Sequence, residues 1–402
     1  MRKQKYVILL GDGMPDRTLP ELDNRTPLMV AKTPNLDFMA REGTVGSART
    51  TPEGFEPGSD VTNMGILGYD PNSYYTGRAP LEAAAMGVEL APDDVAFRCN
   101  LVSLRRVGNG AVMEDFSAGH IETEPATELI NALDEELGSD EISFHPGVSY
   151  RHLMVWKGGM TDCKLTPPHD ISGQNIADHM PGGKGAPFIT KLMGETQIFL
   201  HQHKTNARLK AEGKKVANSA WFWGQGKAPT MPSLRELYGL GGAMISAVDL
   251  MRGIGVYAGM RIIKVPGATG WIDTNYEGKA RACLEALKDV DMVYLHVESP
   301  DEAGHAGSLE YKIQAISDFD RKVVGPVLEG LKGRDDYRVM AISDHATPLE
   351  VKTHTLDPVP FAIYPPPADA GSVPFDESIL ESSQLKFDSA IEISKYFIEG
   401  EK

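Results

Sequence analysis

Three aspartates stand at the ends of short apolar runs. Asp12 follows Tyr6-Val7-Ile8-Leu9-Leu10-Gly11, Asp301 follows Met292-Val293-Tyr294-Leu295-His296-Val297-Glu298-Ser299-Pro300, and Asp344 follows Val339-Met340-Ala341-Ile342-Ser343. Two of them have histidine close by: Asp301 has His305, and Asp344 has His345 beside it and His354 downstream. A carboxylate and an imidazole one helical turn apart converge if the chain curls there. The adjacent pair Asp344-His345 converges only if the chain bends, because neighbours on an extended strand point to opposite faces. Asp12, Asp301, His305, Asp344, His345 and His354 together offer hard oxygen and borderline nitrogen donors without cysteine, a set that suits Mn²⁺, Zn²⁺ or Mg²⁺. So many donors exceed the needs of one ordinary site. They read as a pair of divalent ions, the arrangement that clamps the attacking and leaving oxygens of a phosphoryl group.

Phosphoryl transfer also needs a nucleophile, and Glu56-Pro57-Gly58-Ser59-Asp60-Val61 offers Ser59. It follows a Pro-Gly turn at the predicted start of a helix, where the first amides favour an anion. The plainer reading is that Ser59 and Asp60 cap that helix. The two roles are compatible, because a bound metal makes an alkoxide reachable at neutral pH.

The elements that must position these residues read as alternating strands and helices. Runs rich in Val, Ile and Leu are buried parallel strands, and ligands of open α/β sheets gather beyond the carboxyl ends of such strands. Tyr6–Leu10, Asp291–Val297, Tyr337–Ser343 and Phe361–Tyr364 read as strands, the last one leading into Pro365-Pro366-Pro367. Thr33 as N-cap with Pro34 at the first helical position predicts a helix that stops at Gly43. Further helices are predicted from Ser59 to near Gly68, over Lys279–Leu287, and as one long helix over Tyr311–Leu331. The stretch 96–235 differs, with many Gly, Pro and His residues and polar turns such as Pro181-Gly182-Gly183-Lys184-Gly185. The expected architecture is an α/β core of residues 1–95 and 236–402, its mostly parallel sheet flanked by helices, carrying an inserted α/β substrate-binding (cap) domain at 96–235.

Composition excludes several classes. The chain has 402 residues, 41% hydrophobic and 24% charged, with a formal net charge of −16. That balance argues against nucleic-acid backbone binding, which needs a basic stripe. A small anionic substrate is still compatible with it, because a metal or an arginine pocket reverses the potential locally. Cys99, Cys163 and Cys283 are scattered and form no metal or disulfide spacing, as expected of a reducing compartment. The start Met1-Arg2-Lys3-Gln4-Lys5 is followed by too short an apolar run for a secretory signal, and no stretch is long and apolar enough to span a bilayer. A cytoplasmic protein is expected. The sequence sets no oligomeric state.

Two longer motifs resemble a known family. Pro57-Gly58-Ser59-Asp60-Val61-Thr62-Asn63-Met64, then Leu67-Gly68-Tyr69-Asp70-Pro71 and Tyr75-Thr76-Gly77-Arg78-Ala79-Pro80-Leu81-Glu82-Ala83, are similar to the archaeal-type cofactor-independent phosphoglycerate mutases. Pro300-Asp301-Glu302-Ala303-Gly304-His305 and Ser343-Asp344-His345 resemble metal motifs of the wider alkaline phosphatase superfamily. The resemblance implies an alkaline phosphatase-like core with two Mn²⁺ or Mg²⁺ ions. Asp301, His305 and His354 would hold one, and Asp12, Ser59, Asp344 and His345 the other. It also implies an isomerase of glycolysis and gluconeogenesis that interconverts 3- and 2-phosphoglycerate through a phosphoserine at Ser59, without bisphosphoglycerate.

The small phosphorylated acid substrate invites bidentate arginine. Candidates are Arg78, Arg98, Arg151, Lys227 and Arg252, each with an ordinary surface-charge alternative. Asp115, His120, His152 and His169 could do acid–base work, while Trp221, Phe222 and Trp223 read first as core. The tracts Lys164-Leu165-Thr166-Pro167-Pro168-His169-Asp170-Ile171 and Trp223-Gly224-Gln225-Gly226-Lys227 occur in family members proposed to phosphorylate homoserine. A homoserine kinase-like phosphotransferase is therefore the alternative, with a metal-dependent phosphatase behind it, since the acceptor is chosen outside the shared core.

Overall fold

The computed structural model describes residues 4–108, 110–365 and 373–400, so Met1-Arg2-Lys3 and the expected prolines Pro366 and Pro367 lie outside the described residues. Strands β1 (Lys5–Gly11) and β2 (Thr44–Ala48) open the chain. Then come β3 (Val95–Val107), β4 (Gly110–Asp115), β5 (Ile142–His145), β6 (Arg151–Trp156) and β7 (Ser219–Lys227). The last group is β8 (Gly242–Ile245), β9 (Arg261–Ile263), β10 (Met292–Val297), β11 (Tyr337–Ile342), β12 (Val359–Tyr364) and β13 (Lys386–Phe387). They fall into two compact units, Met1–Tyr75 with Thr230–Lys402, and Thr76–Pro229.

The first unit holds a sheet in the order β13-β2-β12-β11-β1-β10-β8-β9. Strands β11, β1, β10, β8 and β9 are parallel, and β12 is antiparallel to both its neighbours. Strand β1 is apolar on both faces because both are covered: Val7, Ile8, Leu9 and Leu10 are all fully buried. Leu36, Met39, Ile316, Phe319, Val323 and Val327 pack over one side of it. The register decides the function of the strand ends. Gly11 lies opposite Val297, and Leu10 opposite Ile342, so β11, β1 and β10 finish at the same edge of the sheet. Asp12, Asp301 and Asp344 follow those three ends.

Two local expectations change. The long helix expected over Tyr311–Leu331 is a helix Leu309–Phe319, a π-turn Asp320–Val324 and a second helix Gly325–Leu331. The wide turn coincides with a buried Asp320, whose carboxylate accepts from the backbone N–H groups of Asn35 and Leu36. That carboxylate caps the helix Pro34–Glu42; the expected cap, Thr33, makes no side-chain cap bond. Ser59 is likewise the first residue of the helix Ser59–Ile66, with Gly58 at the cap position and no side-chain cap bond. The plain capping role does not explain Ser59.

The second unit is built on the sheet β4-β3-β6-β5, with β7 also paired to the long strand β3. All of its pairings are antiparallel. Helices Thr123–Leu137 and Ala186–Gln202 bury Leu129, Ile130, Leu133, Ile189 and Met193 against one face, in a core with Phe97, Phe144 and Phe222. The helix Arg78–Met86 packs Ala79 and Ala83 on Ala96 of β3 and Leu153 of β6. For that reason the chain enters this unit at Thr76, ahead of the expected 96, and leaves it at Pro229 in place of 235.

Candidate metal centre

Asp301 and His305 lie on the helix Ser299–His305, which starts just after β10, and His354 comes from the segment after β11. Their donor atoms converge. His305 Nε2 is 3.2 Å from Asp301 Oδ2, His354 Nε2 is 3.4 Å from Asp301 Oδ1, and the two Nε2 atoms are 3.0 Å apart. His305 Nδ1 donates to the carbonyl of Lys352 at 3.0 Å, and His354 Nδ1 to the carbonyl of Pro57 at 2.6 Å. A carbonyl only accepts, so both rings carry their proton on Nδ1 and turn an Nε2 lone pair inward. Two lone pairs at that separation repel unless a cation lies between them. Hydrogen bonding to Asp301 raises His305 to about 9.

The second cluster is fully buried. Asp12, Asp344 and His345 each have zero side-chain exposure, and Ser59 Oγ reaches His345 Nε2 at 3.1 Å. His345 Nε2 is also 3.2 Å from Asp344 Oδ2 and 3.5 Å from Asp12 Oδ1. Thr347 donates its one proton to Asp301, so it accepts from His345 Nδ1 at 3.3 Å. The third histidine thus repeats the pattern of the other two. Asp12 Oδ1 is buried and has no hydrogen-bond partner. Burial, then Asp344, Glu298 and Asp301, push the Asp12 carboxyl well above the usual range. Carboxylates crowded in this way and taken out of water must be neutralised, by a proton or by a bound cation. The donor set fits divalent ions.

The sequence reading brought Asp12, Ser59, Asp301, His305, Asp344, His345 and His354 forward, and all seven meet here. It missed the residues that hold them. Asn63, one turn beyond Ser59, donates to Asp344 Oδ2 at 2.9 Å and to the Ser59 carbonyl at 2.8 Å, and accepts from the Tyr294 hydroxyl. His296 Nε2 lies 2.8 Å from Asp12 Oδ2, and Glu298 Oε2 is 3.3 Å from the same nitrogen. Burial pushes His296 down to about 3, so it is neutral, while burial and then Asp301 raise Glu298 to about 8. A signal was present: two polar residues alternate at the end of an otherwise apolar strand, where one face must be dry or functional.

Comparison with known proteins gives the family. A profile described as 2,3-bisphosphoglycerate-independent phosphoglycerate mutase matches residues 40–206. A probable 2,3-bisphosphoglycerate-independent phosphoglycerate mutase from Geobacter sulfurreducens is 53% identical, over 98% of this chain and 100% of its own. The enzyme of that name from Methanosarcina acetivorans is 52% identical, over 95% and 96%. This chain belongs to the 2,3-bisphosphoglycerate-independent phosphoglycerate mutase family. Among solved structures, the PH0037 protein from Pyrococcus horikoshii superposes with a TM-score of 0.84 at 27% identity, covering 100% of this chain and 99% of its own. A cofactor-independent phosphoglycerate mutase from Thermoplasma acidophilum gives 0.67 at 26%, covering 98% and 99%. The family and the two ion-shaped clusters together imply use of divalent metal.

In the second unit of this mutase-family chain the candidate arginines separate. Arg98 is buried, donates through Nε to Glu82 Oε2 at 2.9 Å, and stacks 4.1 Å over the Trp223 ring. Arg78 shares Glu82 at 3.8 Å, and the Trp223 ring also meets His169, with centroids 5.2 Å apart. Trp223 Nε1 donates to Asn100 at 3.1 Å, which fixes the platform under Arg98. Arg151 lies over the Tyr150 ring at 5.6 Å, and Tyr150 packs on Phe116 and His120. Lys227 pairs with the exposed Asp93 at 3.1 Å. Arg252 belongs to the first unit, where its guanidinium holds the carbonyls of Ser246 and Ala247 and the Asp249 carboxylate.

The other candidates of this unit have structural partners. Asp115 is held by Lys215 and Ser117, which outweigh its burial and keep it below the carboxylate range. His152 is buried and pushed down to about 3. Trp221 and Phe222 are core, and Trp221 Nε1 donates to the Thr166 carbonyl at 2.8 Å.

Proposed function

We propose that this chain interconverts 3- and 2-phosphoglycerate, without bisphosphoglycerate, by passing the phosphoryl group onto Ser59 and back to the neighbouring hydroxyl of the same glycerate. The observation that carries this reading is the place of Ser59 Oγ, 3.1 Å from His345 Nε2 and next to the crowded carboxylates of Asp12 and Asp344. Ser59 also opens a helix, so the first free amides favour an anion there. Asn63 clamps the Ser59 carbonyl and Asp344 to one amide, which keeps the nucleophile and its surroundings in one frame.

Asp301, His305 and His354 would hold one divalent ion, and Asp12, Ser59, Asp344 and His345 a second, with Mn²⁺ or Mg²⁺ as the favoured ions and Zn²⁺ compatible with the donors. When bound, the ions supply electrostatic stabilisation to the transferring oxygens and lower the pKa of the Ser59 hydroxyl. Arg78, Arg98 and Arg151 supply positive charge in the second unit, suited to the carboxylate and phosphate of a three-carbon acid. The reaction belongs to glycolysis and gluconeogenesis. Three buried, unpaired cysteines accord with a reducing cytoplasm.

The test is a coupled assay on metal-loaded protein with 3-phosphoglycerate, with and without added bisphosphoglycerate, beside arms containing homoserine plus ATP and 3-phosphoglycerate hydrolysis. Mutase turnover independent of bisphosphoglycerate is expected. Homoserine phosphorylation or net phosphate release without mutase turnover would overturn the reading.

A further inference from the structure

Asp12, His296 and Glu298 come close enough together to be taken for a third ion site. The hydrogen bonds around His296 argue for a different role. Ser246 Oγ has two partners, the backbone N–H of Val248 at 3.0 Å and His296 Nδ1 at 3.0 Å. An amide can only donate, so the hydroxyl accepts there and keeps its single proton for Nδ1. The opposite arrangement, with Nδ1 donating, would strand a buried O–H without an acceptor. His296 Nδ1 is therefore an acceptor, and Nε2 carries the ring proton. That proton points at Asp12 Oδ2, 2.8 Å away, with Glu298 Oε2 at 3.3 Å. The other tautomer would set a lone pair against two carboxylates.

We infer that His296 is a positioning residue for Asp12, a hydrogen-bond donor locked in one tautomer by Ser246, and that Asp12 consequently presents only Oδ1 to an ion. The inference rests on the proposed reading of Asp12, Ser59, Asp344 and His345 as metal ligands. Asp12 Oδ2 is engaged by the imidazole, while Oδ1 is buried, has no hydrogen-bond partner and lies 3.5 Å from His345 Nε2. The ring proton occupies the place a third ion would need, so the Asp12–His296–Glu298 cluster takes none. The two segments that carry the device are themselves clamped. Arg252 donates to the carbonyls of Ser246 and Ala247 at 3.0 and 2.9 Å, and Lys279 Nζ donates to the His296 carbonyl at 3.1 Å. Partners of this kind fix the orientation of a ligating carboxylate, and their loss typically costs 10- to 100-fold in metal affinity.

The test is Mn²⁺ binding to metal-stripped, full-length protein, measured by equilibrium dialysis with electron paramagnetic resonance of free Mn²⁺, beside circular dichroism of each variant. Wild type should bind two ions. His296→Ala should weaken one of them by about 10- to 100-fold and leave the other unchanged. His296→Gln keeps a side-chain N–H and should restore part of the loss, and Ser246→Ala should weaken the same ion by a few-fold. Glu298→Gln should leave the number of bound ions at two. A third ion in wild type that disappears in Glu298→Gln would overturn the inference. So would unchanged affinity for both ions in His296→Ala, or in Ser246→Ala should His296→Ala fail to fold. Two ions with unaltered affinities would remove this inference alone, whereas a wild type that binds no Mn²⁺ would remove the proposed function with it.

Discussion

The two units solve opposite electrostatic problems. In the first, four acids (Asp12, Glu298, Asp301 and Asp344) crowd beyond the ends of parallel strands, and two buried carboxylate oxygens, Asp12 Oδ1 and Glu298 Oε2, have no hydrogen-bond partner. In the second, Arg98 is buried on an aromatic platform and its charge is met by Glu82. The acidic cluster has the donor set of a divalent-ion site, whose counter-charge would come from solution. The arginine already has a counter-charge inside the protein, held through its Nε, before any ligand arrives. A site that borrows its counter-charge depends on solution conditions; one that carries its own depends on a partner residue.

The largest expected effect separates chemistry from charge balance. Ser59→Ala leaves every charge of the first unit in place, and should lower mutase kcat roughly a thousandfold or more while metal-ion number stays at two or falls by at most one. Substantial residual turnover, read in the coupled assay, would break the phosphoserine step. Chelation comes next. Stripping divalent ions should abolish turnover and lower the melting temperature of the first unit, and readdition of Mn²⁺ should restore both; full activity after exhaustive dialysis against EDTA would sink the idea of borrowed charge.

The second unit should respond to its partner instead. Arg98→Met leaves the half-buried Glu82 with only Arg78, at 3.8 Å, as its cation, and is expected to cost about 2 kcal/mol of stability in this unit. The double change Arg98→Met with Glu82→Gln should recover part of that loss in denaturant titration, at any metal concentration. Equal destabilisation by the single and double changes would show that Glu82 is not the partner that matters.

The smallest effect is acid sensitivity. Gly147 N–H donates to His152 Nδ1 at 3.0 Å, so the ring proton sits on a buried Nε2 with no partner, and burial pushes the group down to about 3. A folded pKa below the unfolded value of about 6.5 means that the unfolded chain binds the extra proton. The contribution is fully present above that unfolded value and is lost as pH falls toward 3, with a slope of up to roughly 1.4 kcal/mol per pH unit. His152→Leu should therefore shift acid unfolding of this unit to lower pH, followed by tryptophan fluorescence. An unchanged midpoint would relieve His152 of that role.

What could be read beforehand follows from the range of the interactions. The Asp301 to His305 spacing is one helical turn, and the Asp344-His345 pair is adjacent, so both announce themselves locally. The parallel strands were legible for a similar reason, since β1 is apolar on both faces and β10 is apolar up to His296. The supporting bonds are not local. Asn63 meets Asp344 across 281 residues of chain, His296 meets Asp12 across 284, and Asp320 caps the helix at Leu36 across another 284. No window of sequence contains such a pair. The limits of the second unit were hidden too, because the helix Arg78–Met86 is fixed by small residues, Ala79 and Ala83, whose packing against Ala96 and Leu153 appears only in three dimensions.

The shared edge of β11, β1 and β10 has a consequence for how the protein is made. Strand β1 is synthesised well before its two neighbours, which start at Met292 and Tyr337. The whole intervening unit must be accommodated before β1 has a partner on either side, a non-local closure of the kind that slows folding. Residues 12 and 354 enclose the proposed ligand set, so an ion held by it would need strands from both ends of the chain to have met. On the proposed reading, ion binding would report that the chain has closed.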